Sequence, residues 1–284
     1  MQKTFSEIFE IQGIGLHSGL PSKMTFYPAD ANSGIVFVRA DLPNKPEFKA
    51  LYGQVVDTRN CTCLGNEKKE IVSTIEHIMA ALYVLGVDNA RIEVTNPETP
   101  IMDGSAKVFY DELKKVPLKE LPAKRKYLKV LQKVEFDDGK CAKVVLEPSD
   151  KLHIHFTIDF PSKIVGHQEF DSDIEPSVFA VKIAPARTFC EKYQVDYLRS
   201  IGLIKGGSLE NAVVLDGEKI LNEGGFRVEN EAVNHKVLDC IGDMYTSGYR
   251  LLANITAEKS GHFHNNEVLK KLFADTHNYQ IIEE

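Results

Sequence analysis

Apolar and polar positions change their period several times along the chain. Early segments such as KMTFYPA and GIVFVRADL alternate or run apolar between Gly, Pro, Asn and Asp, which predicts short strands joined by turns. From Ser73 the period becomes helical: Ile75, Ile78, Met79, Leu82 and Leu85 share one helix face, and Gly86 can stop the helix. Ser73 and Glu76 have the S-x-x-E spacing of a capping box. ARIEVTN (90–96) predicts a strand, PIMDGSA a tight loop and KVFYDELKKV an amphipathic helix. Residues 117–127 (PLKELPAKRKY), proline-containing and highly charged, predict a linker whose basic cluster is a solvated face. YLKVLQKVEF, KVVLEPS and LHIHFTIDF predict further strands, and ARTFC ends another extended segment. YQVDYLRSIGL predicts a short helix, and KGGSLENAVVLDG a glycine turn into a strand. The longest helix is expected from Glu229 to Ser247 with Gly248 as its stop, followed by a strand, LLANITAE, and a last helix, NEVLKKLFADTH.

Both halves thus read as strands, helix, strand, helix. That order predicts an α+β chain of two similar domains, each a layered sheet-and-helix sandwich, over residues 1–122 and 123–284. No repeat identity between the halves is visible by eye, so duplication stays a suspicion.

Composition narrows the function without choosing it. The chain has 284 residues, 43% hydrophobic and 26% charged, enough to bury a core without staples. A net charge of -7 argues against general nucleic-acid binding. Five scattered cysteines (Cys61, Cys63, Cys141, Cys190, Cys240) do not form a disulfide framework, and a reduced, cytoplasmic setting is expected. The N-terminus lacks the apolar core of a signal peptide, and no run reaches the length of a membrane span.

The chemistry concentrates on the longest predicted helix. His235 and Asp239 are four residues apart and stack on one face; with Asp243 they occupy an arc of roughly 80° at 100° per residue. The rest of the helix is largely apolar, so this polar stripe faces either solvent or a ligand. Two histidines and one carboxylate are a common shell for a catalytic zinc, leaving one position for water. His77 offers the missing imidazole and Glu76, beside it, a base; alternatively Glu76 only closes the capping box and His77 is a core histidine. His262 and His264 sit in a glycine-marked loop, where surface histidines are the simpler reading. His153 and His155 alternate on a strand without a carboxylate at comparable spacing, and are expected on the sheet surface. His17, in the glycine turn GIGLHSG, is uninformative alone. GIGLHSG lacks the dinucleotide fingerprint and KGGSLENAVV the terminal Lys-Ser/Thr of a P-loop, so both are read as turns.

STIEHIMAAL, PIMDGSA, ARTF, GGSLENAVV, HKVLDCIGD and SGHFHNN, in this order, resemble the UDP-3-O-acyl-N-acetylglucosamine deacetylases, zinc amidohydrolases that commit a precursor to lipid A synthesis. The resemblance runs from GIGLHSG to the last helix. It implies hydrolysis of the N-acetyl group with release of acetate, in a site between the two domains. It also implies His77, His235 and Asp239 as metal ligands, Glu76 as general base, His262 as acid or electrostatic stabiliser supported by Asp243, and Thr188 near the reacting carbonyl. Lys236 is implied as substrate-binding, Asp159 and Phe160 as a uridine-contact segment, and Lys140 and Lys259 as diphosphate partners. Phe189 joins the substrate-binding set. An insert over about 190–215 would line an acyl channel with Val195, Ile204, Leu209, Ala212 and Val214. The implied cofactor is one Zn2+ ion, with Fe2+ chemically possible. The implied partner is the UDP-sugar alone, met by a monomer with no room for a fused dehydratase domain. Three positions depart from the family pattern: Cys190 replaces a usual glycine, Leu209 a frequent aromatic residue, and His264 is atypical. The rival readings are another metal-dependent N-acetyl-sugar deacetylase and a non-catalytic, metal-stabilised binding protein.

Overall fold

The computed structural model describes all 284 residues and contains several sheets and six helices. The N-terminal sheet has the strand order Phe9–Ile14, Pro21–Tyr27, Ala90–Val94, Ile35–Arg39, Glu47–Lys49. Its central strand, Ala90–Val94, runs antiparallel to Pro21–Tyr27 and parallel to Ile35–Arg39. Its burial alternates in the period-2 manner of a strand with one face on a core. Helix α1 (Glu76–Leu85) precedes that strand and α2 (Lys107–Lys115) follows it.

The C-terminal sheet repeats this plan. Its hub, Arg250–Glu258, runs antiparallel to Lys143–Pro148 and parallel to both Leu152–Asp159 and Lys126–Val130. Three further strands complete it: Val134–Asp137, His167–Asp173 and Tyr279–Glu283. Between its strands lie the short α3 (Pro176–Val178) and α4 (Lys192–Ser200). Helix α5 (Glu231–Tyr245) precedes the hub strand and α6 (His262–Ala274) follows it. Gly86 ends α1 and Gly248 follows α5, each with positive φ (75° and 83°), a conformation glycine adopts without penalty. The suspected likeness of the halves therefore holds at the level of topology, although residue identity does not display it.

Two boundaries differ from the expected ones. Leu118–Glu120, inside the expected linker, is a strand that pairs with Lys3–Phe5. Its charges occupy the exposed side of a two-stranded edge, which period analysis reads as loop. The last helix begins at His262, four residues before the expected Asn266, so His262 and His264 are helical rather than in a loop. Strands Phe9–Ile14, His167–Asp173 and Tyr279–Glu283 were not expected; exposed polar residues such as Glu10, Glu169 and Gln280 dilute their apolar pattern.

One apolar cluster of 57 buried residues extends through both units, so neither owns a separate core. The helix layers meet there, and α1 against α5 is the most extensive helix–helix contact. α1 is apolar almost all round and buried from Glu76 to Val84, as a helix sandwiched between layers must be. Its closest approach to α5 is at Gly242, where an added Cβ would collide with the carbonyl oxygen of Glu76. Toward the C-terminal end of α5 the seam opens into a hollow of about 350 Å³ lined by Lys49, Tyr52, Met79, Tyr245 and Arg250.

Gly242→Ala should therefore destabilise the protein by about 1–3 kcal/mol, the usual range for overpacking a tight core. Gly53→Ala, at a position with open space, should change stability by less than about 0.5 kcal/mol. Urea unfolding of the two variants checks this; equal effects would contradict the tight crossing.

Candidate active site

Helix α1 and helix α5 bring the polar residues together across the seam. His77, His235 and Asp239 are each 2–3% exposed, and one ligand atom from each lies within 4.8 Å of the others. Asp239 Oδ1 stands 3.4 Å from His235 Nε2 and 3.7 Å from His77 Nε2. His235 Nδ1 donates to the Ala186 carbonyl at 3.1 Å, which leaves Nε2 as a bare acceptor aimed at the cluster. Asp239 Oδ1 is buried with no hydrogen-bond partner. A buried carboxylate oxygen facing imidazole nitrogens and orphaned of donors is the arrangement a divalent cation satisfies. The residues therefore fit a metal.

Electrostatics agree with this. Burial holds the His77 imidazole at about 3, well below its ordinary value, with His235 adding repulsion. Burial likewise lowers His235. Both rings are neutral, the form that ligates metals. Burial raises Asp239, but the cationic groups beside it, Lys236 and His262, outweigh it and hold the carboxyl ionised. Its second oxygen accepts from Lys236 Nζ at 2.9 Å.

A second layer adjoins the first. Glu76, 2% exposed, is pushed up to about 8 by burial and by the neighbouring Asp239 and Asp243, while His262 opposes the shift. His262 Nε2 lies 4.0 Å from both Glu76 Oε1 and Asp239 Oδ2. His262 Nδ1 donates to Asp243 Oδ2 at 2.8 Å. Burial disfavours the imidazolium, but Asp243, Asp239 and Glu76 overcome it and raise His262 to about 9. The site thus holds a carboxyl group and an imidazolium whose affinities for a proton are close to each other.

Glu76 does not form the expected capping box. Ser73 Oγ donates to the Pro97 carbonyl, while Glu76 Oε2 accepts from the Thr62 backbone N–H at 2.9 Å. The loop at Thr62, just before the strand Cys63–Gly65, therefore holds the carboxyl toward the site. Thr62 Oγ1 and Asn265 Nδ2 both donate to Asp243. Neither residue was found from the sequence: Thr62 carries no local signal, while Asn265, three positions after His262, is visible only once the helix is known to start there. His17 was also passed over. Both of its ring nitrogens are buried without partners, and Glu98 holds its loop by accepting from the His17 and Ser18 backbone N–H groups.

The remaining expected residues separate into groups. Phe189 packs edge-on against Phe160 at 5.2 Å and lies 6.0 Å from Lys236 Nζ, so these three continue outward from Asp239. Thr188 immediately precedes the strand Phe189–Glu191, its N–H donating to the Gly104 carbonyl of PIMDGSA. Asp159 and Lys259 pair with each other at 2.8 Å. Lys140 is exposed on a turn whose backbone is held by Asp138. Of the insert residues, Leu209 is 47% exposed, whereas Val195, Ile204, Ala212 and Val214 are half-buried. The insert is fastened to the N-terminal unit, since Gly206 N–H donates to the Leu16 carbonyl. His153 does have carboxylate partners, Asp171 and Asp173, and His155 has Glu169, all supplied by the neighbouring strand that spacing did not reveal. They lie on the sheet surface, as expected. Cys61 and Cys63 are buried and their thiols are raised by burial, Cys63 to about 12, so neither is a thiolate at neutral pH.

A family model described as LpxC, UDP-3-O-acyl N-acetylglycosamine deacetylase, matches residues 2–274. Among curated proteins, the UDP-3-O-acyl-N-acetylglucosamine deacetylase of Aliarcobacter butzleri is 41% identical over 288 residues, covering 99% of this chain and 93% of the relative. Those of Pasteurella multocida and Nautilia profundicola are 42% and 45% identical, covering 99% and 96% of this chain and 92% of each relative. Fold, buried cluster and relatives together define a hydrolase, and specifically a deacetylase. The chain belongs to the UDP-3-O-acyl-N-acetylglucosamine deacetylase family, whose reaction serves lipid A synthesis. No helix is long and apolar enough to cross a membrane.

Stripped of metal, the protein should lose stability as pH rises from about 6.5 to about 9. The folded-state pKa of His262 is raised, so its contribution is complete below 6.5 and disappears as pH passes 9. Glu76, raised to about 8, acts in the same sense, because charging it above 4.5 disfavours the fold. Calorimetry of chelator-treated protein checks this. The melting temperature should fall across the window and fall less in Asp243→Asn; a flat or rising profile would contradict it.

Proposed function

We propose that His77, His235 and Asp239 hold one zinc ion, and that the deacetylation runs on the acid–base pair Glu76 and His262. The observation that supports this best is the buried, unpartnered Asp239 oxygen between two neutral imidazoles. When bound, the metal supplies Lewis acidity, polarising the amide carbonyl and easing deprotonation of water.

The protein's own groups do the rest. Glu76 takes the proton from the attacking water, a role suited to a buried carboxyl whose proton affinity burial raises above the usual carboxylate range. His262, held charged by Asp243, gives a proton to the departing sugar nitrogen, because an amine leaves an amide only when protonated. The Thr188 hydroxyl stabilises negative charge developing on the carbonyl oxygen. Lys236 is paired with Asp239 here and, with Asp239 serving as a ligand, would be free to turn to the substrate. Phe160 and Phe189 form the wall beyond it, and Asp159 contacts the uridine. Lys259 and Lys140 meet the diphosphate; Lys259 must first release Asp159. The acyl chain lies along Val195, Ile204, Leu209, Ala212 and Val214. At roughly 0.8 kcal/mol for each methylene buried, it supplies a large share of affinity. The chain divides at about residue 122, so that Glu76 and His77 come from one unit and the other groups from its partner. The enzyme acts as a cytoplasmic monomer.

Acetate release from UDP-3-O-acyl-N-acetylglucosamine, measured beside metal content, tests this reading. Glu76→Gln should keep its metal and lose at least about a hundredfold in turnover, the usual scale for a general base. Turnover close to the parent's would remove Glu76 from the mechanism.

A further inference from the structure

We propose that Glu231 and Arg187 are positioning residues for His235, and that their buried ion pair sets how tightly the site holds its metal. The inference rests on His235 being a metal ligand.

The two imidazoles of the cluster are not supported alike. His77 Nδ1 is buried without a hydrogen-bond partner, so only packing orients that ring. His235 is oriented by one bond, from Nδ1 to the Ala186 carbonyl. That bond selects the tautomer with a free Nε2 and fixes the plane of the ring. Its direction depends on the peptide between Ala186 and Arg187.

Glu231 grips that peptide. Its Oε1 accepts from the Arg187 backbone N–H at 3.0 Å and from Nε at 2.7 Å, and its Oε2 accepts from Nη2 at 3.1 Å. Arg187 Nη2 also donates to the Gly225 carbonyl at 2.8 Å. Glu231 is the first residue of α5, one turn before His235, so the helix that carries the ligand also anchors the carbonyl behind it. The same carboxylate accepts from the Arg227 backbone N–H, and the Arg227 guanidinium pairs with Asp103 of the PIMDGSA loop. Downstream, Thr188 N–H donates to the Gly104 carbonyl of that loop. A continuous set of polar contacts thus runs from the N-terminal unit through Arg227, Glu231 and Arg187 to the back of His235.

The pair is almost fully buried, Arg187 at 5% and Glu231 at 1% exposure. A buried ion pair adds little net stability compared with apolar residues of the same volume, and fixing one geometry is the better account of its presence. Groups that orient a metal-ligating histidine typically change metal affinity by about 10–100-fold when removed.

Zinc affinity of the folded protein, measured by competition with a chelator near neutral pH, tests the proposal. Glu231→Gln and Arg187→Lys should each weaken zinc by about 10–100-fold. Each should also alter the visible spectrum of the cobalt-loaded protein, which reports ligand geometry. Asp88→Asn breaks a half-buried pair with Arg125, remote from the ligands. It should lower the melting temperature and leave zinc affinity unchanged. The proposal is overturned if either folded variant holds zinc within about twofold of the parent with an unaltered cobalt spectrum. It is equally overturned if Asp88→Asn loosens zinc as much. Should Glu231→Gln fail to fold, Arg187→Lys, which keeps the charge, decides alone. A parent protein that binds no stoichiometric metal would instead refute the reading of His235 on which this rests.

Discussion

The backbone of Glu76 rests against Gly242, and this contact between α1 and α5 sets how closely Glu76 and His77 approach the polar stripe of α5. Interhelical spacing is normally set by side chains at the crossing. Here one helix offers no side chain, so the other can approach with its main chain. Glu76 and His77 lie at the first turn of α1; His235, Asp239 and Asp243 lie along one stripe of α5. A crossing wider by one methyl group would separate the imidazole of one unit from the carboxylate of the other.

Such a crossing buries an unusual amount of charge. Glu76, Asp239 and Asp243 are all within 2–3% exposure, facing Lys236 and His262. Ionised groups away from water are tolerated only when paired and hydrogen-bonded. Asp243 meets this requirement with donors from Thr62, His262 and Asn265, drawn from two separate segments, the loop at Thr62 and the first turn of α6. Asp239 meets it on one oxygen only, through Lys236, and the other oxygen has no donor. The two acids of one helix thus differ: Asp243 is fully engaged and holds His262, whereas Asp239 keeps one oxygen without a donor.

Much of this was legible in the sequence, for a specific reason. His235, Asp239 and Asp243 follow the helical repeat, so one element declares its own polar stripe without tertiary information. The two α+β layers and the stop glycines Gly86 and Gly248 were legible for the same cause, since period and turn chemistry are local. What stayed hidden was cross-strand and cross-segment. Glu76 fits a capping box by spacing, yet Thr62 claims its side chain from a loop before the strand Cys63–Gly65. His262 opens a helix whose first turn, HFHNN, is polar enough to read as loop. His153 and His155 have partners on Asp173, Asp171 and Glu169 that no spacing along the chain could announce. The joining of His77 to the 235/239 pair came from the ligand and base that pair lacks rather than from period, because nothing local connects residues so far apart; the resemblance then implied the same set.

Zinc-edge X-ray absorption on the purified, zinc-loaded protein addresses the central claim most directly. The account predicts one ion with two imidazole nitrogens at about 2.0–2.1 Å, carboxylate oxygen at about 2.0–2.2 Å and no sulfur. A sulfur shell at about 2.3 Å, which would draw in Cys61 or Cys63, would contradict it.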